Sequence, residues 1–269
     1  MKTRFSFALL FLLLALTGCR NSFFGDDPDD RVPQRSVLEF DGVDDQLMVT
    51  QAPSLNFDGA FTVEAWIYPH DVKNNPGGSE RTILRKGFST EDTTDYRQTT
   101  NYHLFFNVRR GSGVLAFQGA QTSKQAVQKD EWQHVAGVFN PQDSSSTIYI
   151  NGEKAARVSG DSFPVPNTAP LVIGLSLEQG GAVQDMYDGL IRNVRLWNTA
   201  RTPAQLRETM RQTLMGNEAG LVASWAMDAG RGQAVIDAAG AHPAVLGSTD
   251  ASEDNDPKWE QVDDPDAEQ

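Results

Sequence analysis

EWQHVAGVFNPQDSSSTIYINGEKAARV, residues 131–158, carries the clearest strand and turn signals in the chain. Trp132 to Phe139 concentrates aromatic and β-branched residues and has no purely polar side, which predicts a central strand covered on both faces. A polar loop at 141–146 separates it from Thr147 to Ile150, and Asn151-Gly152 separates that run from Glu153 to Val158. Asn-Gly between two strand-like runs is a strong hairpin signal, because both central residues of a type I′ turn need positive φ. The turn predicts Ile148 and Ala155 on one face, and Tyr149 and Lys154 on the other.

Outward from this hairpin the chain keeps the same pattern. Phe61 to Tyr68 alternates, with Phe61, Val63, Ala65 and Ile67 expected to face a core and Thr62, Glu64, Trp66 and Tyr68 the opposite side. Tyr102, Leu104, Phe106 and Val108 form a second inward row. Further short strands are expected at 37–40, 47–50, 82–86, 114–117, 171–175, 187–197, 221–227, 244–246 and 259–262. Thr202-Pro203-Ala204-Gln205 supplies an N-cap, a proline at the first helical position and a capping-box glutamine, so the one helix is placed at 203–212. Many short strands and a single helix predict an all-β, two-sheet antiparallel β-sandwich over 36–262.

Several of these segments also match a known pattern. Trp132-Gln133-His134-Val135-Ala136, Tyr149-Ile150-Asn151-Gly152-Glu153, Phe40-Asp41-Gly42-Val43-Asp44-Asp45 and Val63-Glu64-Ala65-Trp66 occur in order with Gly189-Leu190-Ile191-Arg192-Asn193-Val194-Arg195-Leu196-Trp197-Asn198. Together with the closing segment 217–225, this series resembles the laminin-G-like, concanavalin A-like jelly-roll domains of bacterial surface proteins. The resemblance implies the jelly-roll form of the sandwich. It says little about activity, since one fold hosts many functions.

The 269 residues carry a formal net charge of −13, which repels nucleic acid and anionic lipid head groups and favours divalent cations. The chain has one cysteine, Cys19, so an internal disulfide is excluded, and the place of that residue at the end of an apolar leader excludes Cys–His catalysis and cysteine-based zinc sites as well. Met1 to Arg4 is basic and Phe5 to Leu16 is an apolar run too short to span a membrane as a mature helix. Leu16-Thr17-Gly18-Cys19 resembles the lipobox of bacterial lipoproteins, which implies a signal peptide at 1–18 and lipid on Cys19. With Arg20 rather than an aspartate next, the resemblance implies outer-membrane sorting in a Gram-negative cell. Residues 19–35 are expected to form an acidic tether, and 263–269 an acidic tail.

The chemistry-bearing residues are few. No His-Glu-x-x-His, P-loop or Gly-x-Ser-x-Gly is present, and the strands carry lone acids (Glu39, Glu64, Glu153) rather than the carboxylate pair that glycoside hydrolysis needs. His134 is read as a packed strand histidine bonded to a neighbour; His70 and His242 fall in turns and are expected to be solvated. Asp41, Asp44 and Asp45 crowd one turn, and Asp188 opens a later strand; by resemblance to related domains these four are candidate ligands for Ca²⁺ at the sandwich rim. The alternative is a plain Asp-Gly turn with solvated aspartates. The related pattern Gly-x-Ile-Asp-Glu is replaced here by Ile191-Arg192-Asn193, which removes two oxygen donors. Trp66 and Tyr68, with Asp92, Asp95, Tyr96 and Arg97 of the long polar loop 87–100, offer the stacking and directed hydrogen bonds that sugars need. Trp66 could instead pack beneath a second layer. The expectation is a non-catalytic, lipid-anchored module that binds glycan or an envelope protein; a scaffold subunit without sugar binding and a degenerate glycosidase are the alternatives.

Overall fold

The computed structural model describes residues 33–50, 53–72, 80–88, 99–108, 112–160, 164–178, 180–249 and 251–264. Strands β1 (Gln34–Asp41) and β2 (Leu47–Val49) come first, and β3 (Phe61–Pro69) follows a 3-10 turn at Pro53–Leu55. Then come β4 (Glu80–Gly87), β5 (Thr100–Asn107), β6 (Val114–Phe117) and β7 (Ala120–Gln121). Residues 131–158 supply β8 (Gln133–Asn140), β9 (Ser145–Ile150) and all but the last residue of β10 (Glu153–Ser159). β11 (Leu171–Ile173), β12 (Ser176–Leu177) and β13 (Val183–Gln184) lead into the long strand β14 (Asp188–Trp197). The helix Pro203–Thr209 precedes β15 (Leu221–Trp225), β16 (Ala234–Val235), β17 (Ala244–Leu246) and β18 (Lys258–Asp263).

Sixteen of these strands form two eight-stranded antiparallel sheets packed as a jelly-roll sandwich, and β12 and β13 pair with each other in a separate two-stranded ribbon. The first runs β10-β9-β8-β3-β14-β1-β18, with β15 beside β14; the second runs β16-β17-β2-β11-β4-β5-β6-β7. Phe61, Val63, Ala65 and Ile67 of β3 face Tyr102, Leu104 and Phe106 of β5 in one apolar core, all of them fully buried. Phe61 stacks on Phe57 at 4.9 Å and meets Phe117 edge-on at 5.8 Å. Buried aromatics of this size carry much of the driving force for closing two sheets. Gly137 interrupts the bulky run of β8 for a reason: the Phe117 ring lies 2.4 Å from where a Cβ would stand.

The central hairpin forms with Asn151 at φ 52° and Gly152 at φ 75°, as a type I′ turn requires. Lys154 pairs with Tyr149 as expected, but a bulge after it makes Ala156, not Ala155, the partner of Ile148. Bulges of this kind are not written in alternation, because one residue is simply left unpaired. At the ends, Gln34 pairs with Asp263. The strand pair therefore takes in Gln34 and Arg35 of the expected tether and Asp263 of the expected tail. The helix ends at Thr209, three residues short of expectation, and a turn from Gln212 N–H to the Thr209 carbonyl continues it. Thr202 and Gln205 form the predicted capping box.

Both faces of β8 are covered, because the helix lies on the outer side of the first sheet. Leu206 packs there with Ala136, Val138 and Tyr149, and Arg207 donates to the Gly152 carbonyl at 2.9 Å and to Glu153 at 2.8 Å. Beneath the helix sits Glu64, a fully buried carboxylate. Its Oε1 accepts the Trp197 indole N–H at 2.9 Å and lies 3.5 Å from Arg195 Nη1, while Oε2 lies 3.2 Å from His134 Nε2. Arg195 also donates to the carbonyls of Thr209 at 2.8 Å and Gln212 at 2.6 Å, where a helix end has unpaired acceptors. Burial alone would raise the Glu64 carboxyl, but His134, Arg195 and Trp197 together outweigh it and hold the group at about 2. His242, expected in a solvated turn, is buried as well. Its Nε2 lies 3.1 Å from Ser54 Oγ and its carbonyl accepts the Trp225 indole N–H at 2.7 Å. The turn is pulled in because the Asp237 carboxylate gathers the backbone N–H groups of Ser224, Ala239, Ala241 and His242.

Gly152→Val places a β-branched residue at positive φ, and a Cβ there already meets Arg207 Cγ at 2.3 Å; thermal unfolding should show a loss of more than about 1 kcal/mol. An unchanged melting temperature would contradict the turn. Glu64→Ala leaves the Arg195 cation buried without its carboxylate and should cost about 3–5 kcal/mol in denaturant titration. The Glu64 carboxyl is held below its ordinary value of 4.5. Its stabilisation is therefore complete above that value and is lost as pH falls toward about 2. Glu64→Gln should flatten this part of the acid-unfolding curve.

Candidate functional site

The expected site residues separate into three places. At the rim, Asp41, Asp44 and Asp45 each offer a carboxylate oxygen within 4.8 Å of one another. The turn that gathers them is built from Gly42 at φ 74° and from two short hydrogen bonds. Asp45 Oδ2 accepts the Asp41 N–H at 2.8 Å, and Asp41 Oδ1 accepts the Val43 N–H at 2.8 Å. Burial, reinforced by the charges of Asp41 and Asp44, raises the Asp45 carboxyl from 3.8 to about 7 against the pull of the Asp41 N–H and Lys258. Three hard oxygen donors this close together suit a divalent cation such as calcium. Asp188 pairs with Asp41 across β1 and β14, and its Cβ lies against Gly42. It stands outside the trio, 3.6 Å from His70 Nδ1. His70, expected to be solvated, is thus half-buried between Asp188 and Glu39, which lies 3.9 Å away.

The expected aromatic surface is arranged differently. Trp66 is 4% exposed, with its indole N–H donated to the Met210 carbonyl at 2.7 Å and the Arg192 guanidinium 5.0 Å from its ring. It packs beneath the segment after the helix, and presents no stacking face. Tyr68 is half-buried against Trp132, 5.5 Å away. Cys19 and the loop residues Asp92, Asp95, Tyr96 and Arg97 lie outside the described residues.

A third constellation lies on the outer face of the second sheet. Since Tyr102, Leu104 and Phe106 point inward, strand alternation turns His103 and Phe105 outward. A shift of register between Thr82 and Leu84 puts Thr82 opposite Phe105 and Arg85 opposite His103. Thr82 Oγ1 lies 2.9 Å from His103 Nε2 and 2.8 Å from Ser176 Oγ. Arg85 donates through Nη1 to Ser176 Oγ at 3.4 Å, and through Nη2 to the Phe88 carbonyl at 2.8 Å and Thr100 Oγ1 at 3.0 Å. Its Nε is buried and has no partner among the described residues. Partly exposed Phe105 stacks on the His103 ring at 4.3 Å with 22° between planes. Glu80 stands at the start of β4 near Asp185. Burial, with the Asp185 charge added, raises its carboxyl to about 7; burial raises Asp185 also. Burial, and then the Arg85 charge, push His103 well below the usual histidine value, so its ring is neutral.

Thr82 and Ser176 are wholly buried, so what this row offers at the surface is Phe105, the edge of His103 and the acids Glu80 and Asp185, groups of a kind suited to polar, ring-shaped ligands. Sequence reasoning missed it. The signal that was available was the outward phase of the β5 alternation; the β4 half was hidden by the register shift.

The Concanavalin A-like lectin/glucanases superfamily model, of the laminin-G type, matches residues 41–207. A candidate carbohydrate binding protein from Bacteroides ovatus ATCC 8483 superposes with a TM-score of 0.61 at 22% identity, covering 83% of this chain and 61% of its own. The chain therefore spans about three fifths of that protein's length. The heptameric SAP-like pentraxin of Limulus polyphemus gives a TM-score of 0.51 at 15% identity, over 81% of this chain and 98% of its own. At these identities the likeness is one of fold. Comparison with curated proteins finds no match. With more than half of its length matched by the family model, and with two antiparallel sheets closed on one apolar core, this chain belongs to the concanavalin A-like lectin/glucanases superfamily.

Proposed function

We propose that the domain is a non-catalytic glycan-binding module, held on a bacterial envelope by lipid at Cys19, with the outer face of the second sheet as its ligand surface. The observation that carries the reading is the row Arg85–Ser176–Thr82–His103 beside Phe105. Polar groups are fixed there at the cost of burial, and Arg85 Nε has no partner among the described residues. A sugar ring would lie on Phe105 through its C–H face, while its hydroxyls meet His103 and the edge carboxylates Glu80 and Asp185. The fold likeness to the Bacteroides ovatus protein, itself a candidate carbohydrate binder, supports the same reading. The net charge of −13 favours neutral over polyanionic glycans.

Calcium would sit at the rim, on Asp41, Asp44 and Asp45, supplying positive charge that relieves their repulsion; Asp188 would act beside it through its contact with His70. The lipid would come from the Leu16-Thr17-Gly18-Cys19 motif.

A glycan array probed with the full chain tests the main reading: binding should fall at least about tenfold in Phe105→Ala, the scale of one lost stacking contact. No bound glycan, together with one stable envelope protein in pull-downs, would make the domain a scaffold. Turnover of a chromogenic glycoside that disappears in Glu80→Gln would make the surface catalytic.

For calcium, the Asp45 carboxyl is raised when folded, so its contribution to stability is present below pH 3.8 and is lost as pH rises through about 7. At pH 8 in chelator Asp45→Asn should therefore melt higher than the natural chain. Calcium at a hundredfold excess over Kd should add about 2.7 kcal/mol to the natural chain, on the order of 5 °C, and leave Asp45→Asn unmoved. Identical melting curves in calcium and chelator would remove the metal site.

Cys19→Ser should release the chain from membranes in cell fractionation. A processed variant that still sediments with membranes would rule out this anchor.

A further inference from the structure

We infer that His103 is a specificity-determining residue of the proposed glycan surface: it presents Nδ1–H as a donor of fixed direction to an acceptor oxygen of the sugar. The inference rests on the glycan-binding reading above, and its own ground is the order of protons along the row beneath it.

An arginine side chain can only donate. Arg85 Nη1 therefore gives a proton to Ser176 Oγ, at 3.4 Å. Ser176 is wholly buried, and its hydroxyl lies 2.8 Å from Thr82 Oγ1. If Ser176 donates to Thr82, then Thr82 donates onward to His103 Nε2 at 2.9 Å, and every proton in the row has an acceptor. If the row ran the other way, Ser176 Oγ would accept from both Arg85 and Thr82. Its own proton would then have no acceptor in a site without water access, which is the costly arrangement. The first order is thus the one the burial permits. It makes Nε2 the acceptor of the ring.

A neutral imidazole with Nε2 accepting carries its proton on Nδ1. Burial and the nearby Arg85 cation keep the ring neutral. Nδ1 has no partner among the described residues, although His103 is only 7% exposed. A flip of the ring would break the contact of Nε2 with Thr82, so that bond, with the Phe105 stack at 4.3 Å, holds Nδ1 where it is. The ligand group this donor fits is an acceptor: a hydroxyl, ring or carboxylate oxygen lying beside a sugar face that rests on Phe105.

The test joins spectroscopy to binding. The full chain, labelled with ¹⁵N-histidine, should show His103 protonated at Nδ1 in long-range ¹H–¹⁵N spectra. Thr82→Val, close in shape but without the relay hydroxyl, should lose that preference. Against the glycans that bind the natural chain most tightly, His103→Asn keeps an N–H near the Nδ1 position and should stay within about threefold. His103→Gln should lose about tenfold, the scale of one directed hydrogen bond. If the histidine variants fold poorly, Thr82→Val alone carries the binding test, with an expected loss of affinity.

A His103 protonated at Nε2 overturns the inference even if glycans bind. So does equal affinity of the natural chain, His103→Asn and His103→Gln. An Nδ1–H tautomer in a chain that binds no sugar overturns the functional reading instead, and the donor then has no sugar to serve.

Discussion

The Glu64 carboxylate is the contact on which the first sheet depends. It ties three neighbouring strands together from one buried point: β3 carries it, β8 brings His134 to it and β14 brings Arg195 and Trp197. Arg195 extends the tie to the carbonyls that end the helix. Isolated, either charge would be expelled to water or neutralised. Because each is paired in the same small volume, the helix is fixed against the sheet, and Leu206 can close an apolar patch over β8 and β9. Arg201 completes this layer, stacked 3.7 Å from the Trp197 ring and bonded to Gln205 and Thr209. The outer face of the first sheet is thereby spent on structure. Trp66, whose ring is held there by Arg192 and Met210, is part of the seal rather than of a binding surface.

The second sheet divides its faces differently. Its inner face gives apolar side chains to the core, while its outer face holds a row of hydroxyl, imidazole and guanidinium groups that bond to one another. Buried polar groups of this kind are expensive unless satisfied, and a satisfied network is rigid. Rigidity is what a binding surface requires of the groups that orient a ligand, since less freedom is then lost on association. The two faces of one sandwich thus use the same physical device, a buried polar network. One network is closed by a helix. The other stops at His103, partly exposed Phe105 and the partly buried acids Glu80 and Asp185.

The rim aspartates follow from the connection between the sheets. β1 belongs to the first sheet and β2 to the second, so the chain must cross the edge of the sandwich in the few residues between Asp41 and Leu47. Gly42 allows the turn because Asp188 lies where a Cβ would be, 2.8 Å away. The same tightness brings Asp41, Asp44 and Asp45 together and buries the last of them. Their crowding is therefore a consequence of the crossover.

Local features of the sequence determined much of this. Alternation in 61–68 identified the inward row of β3, because side-chain direction in a strand has period two and one face was apolar. Asn151-Gly152 identified the hairpin, because these residue types tolerate the positive φ that a two-residue type I′ turn needs, and Thr202 to Gln205 identified the helix start from its cap. The lone Glu64, by contrast, gave no sign of its partners: His134 and Arg195 are distant in sequence and meet it only by strand order. The bulge after Lys154 and the register shift after Thr82 were invisible for the same reason, since each is settled by the strand opposite. That is why Arg85, Thr82, Ser176 and His103 could not be read as one site. They lie on β4, β12 and β5, and only the antiparallel pairing of β4 with β5, and the placing of Ser176 against β4, puts their polar atoms within hydrogen-bond reach.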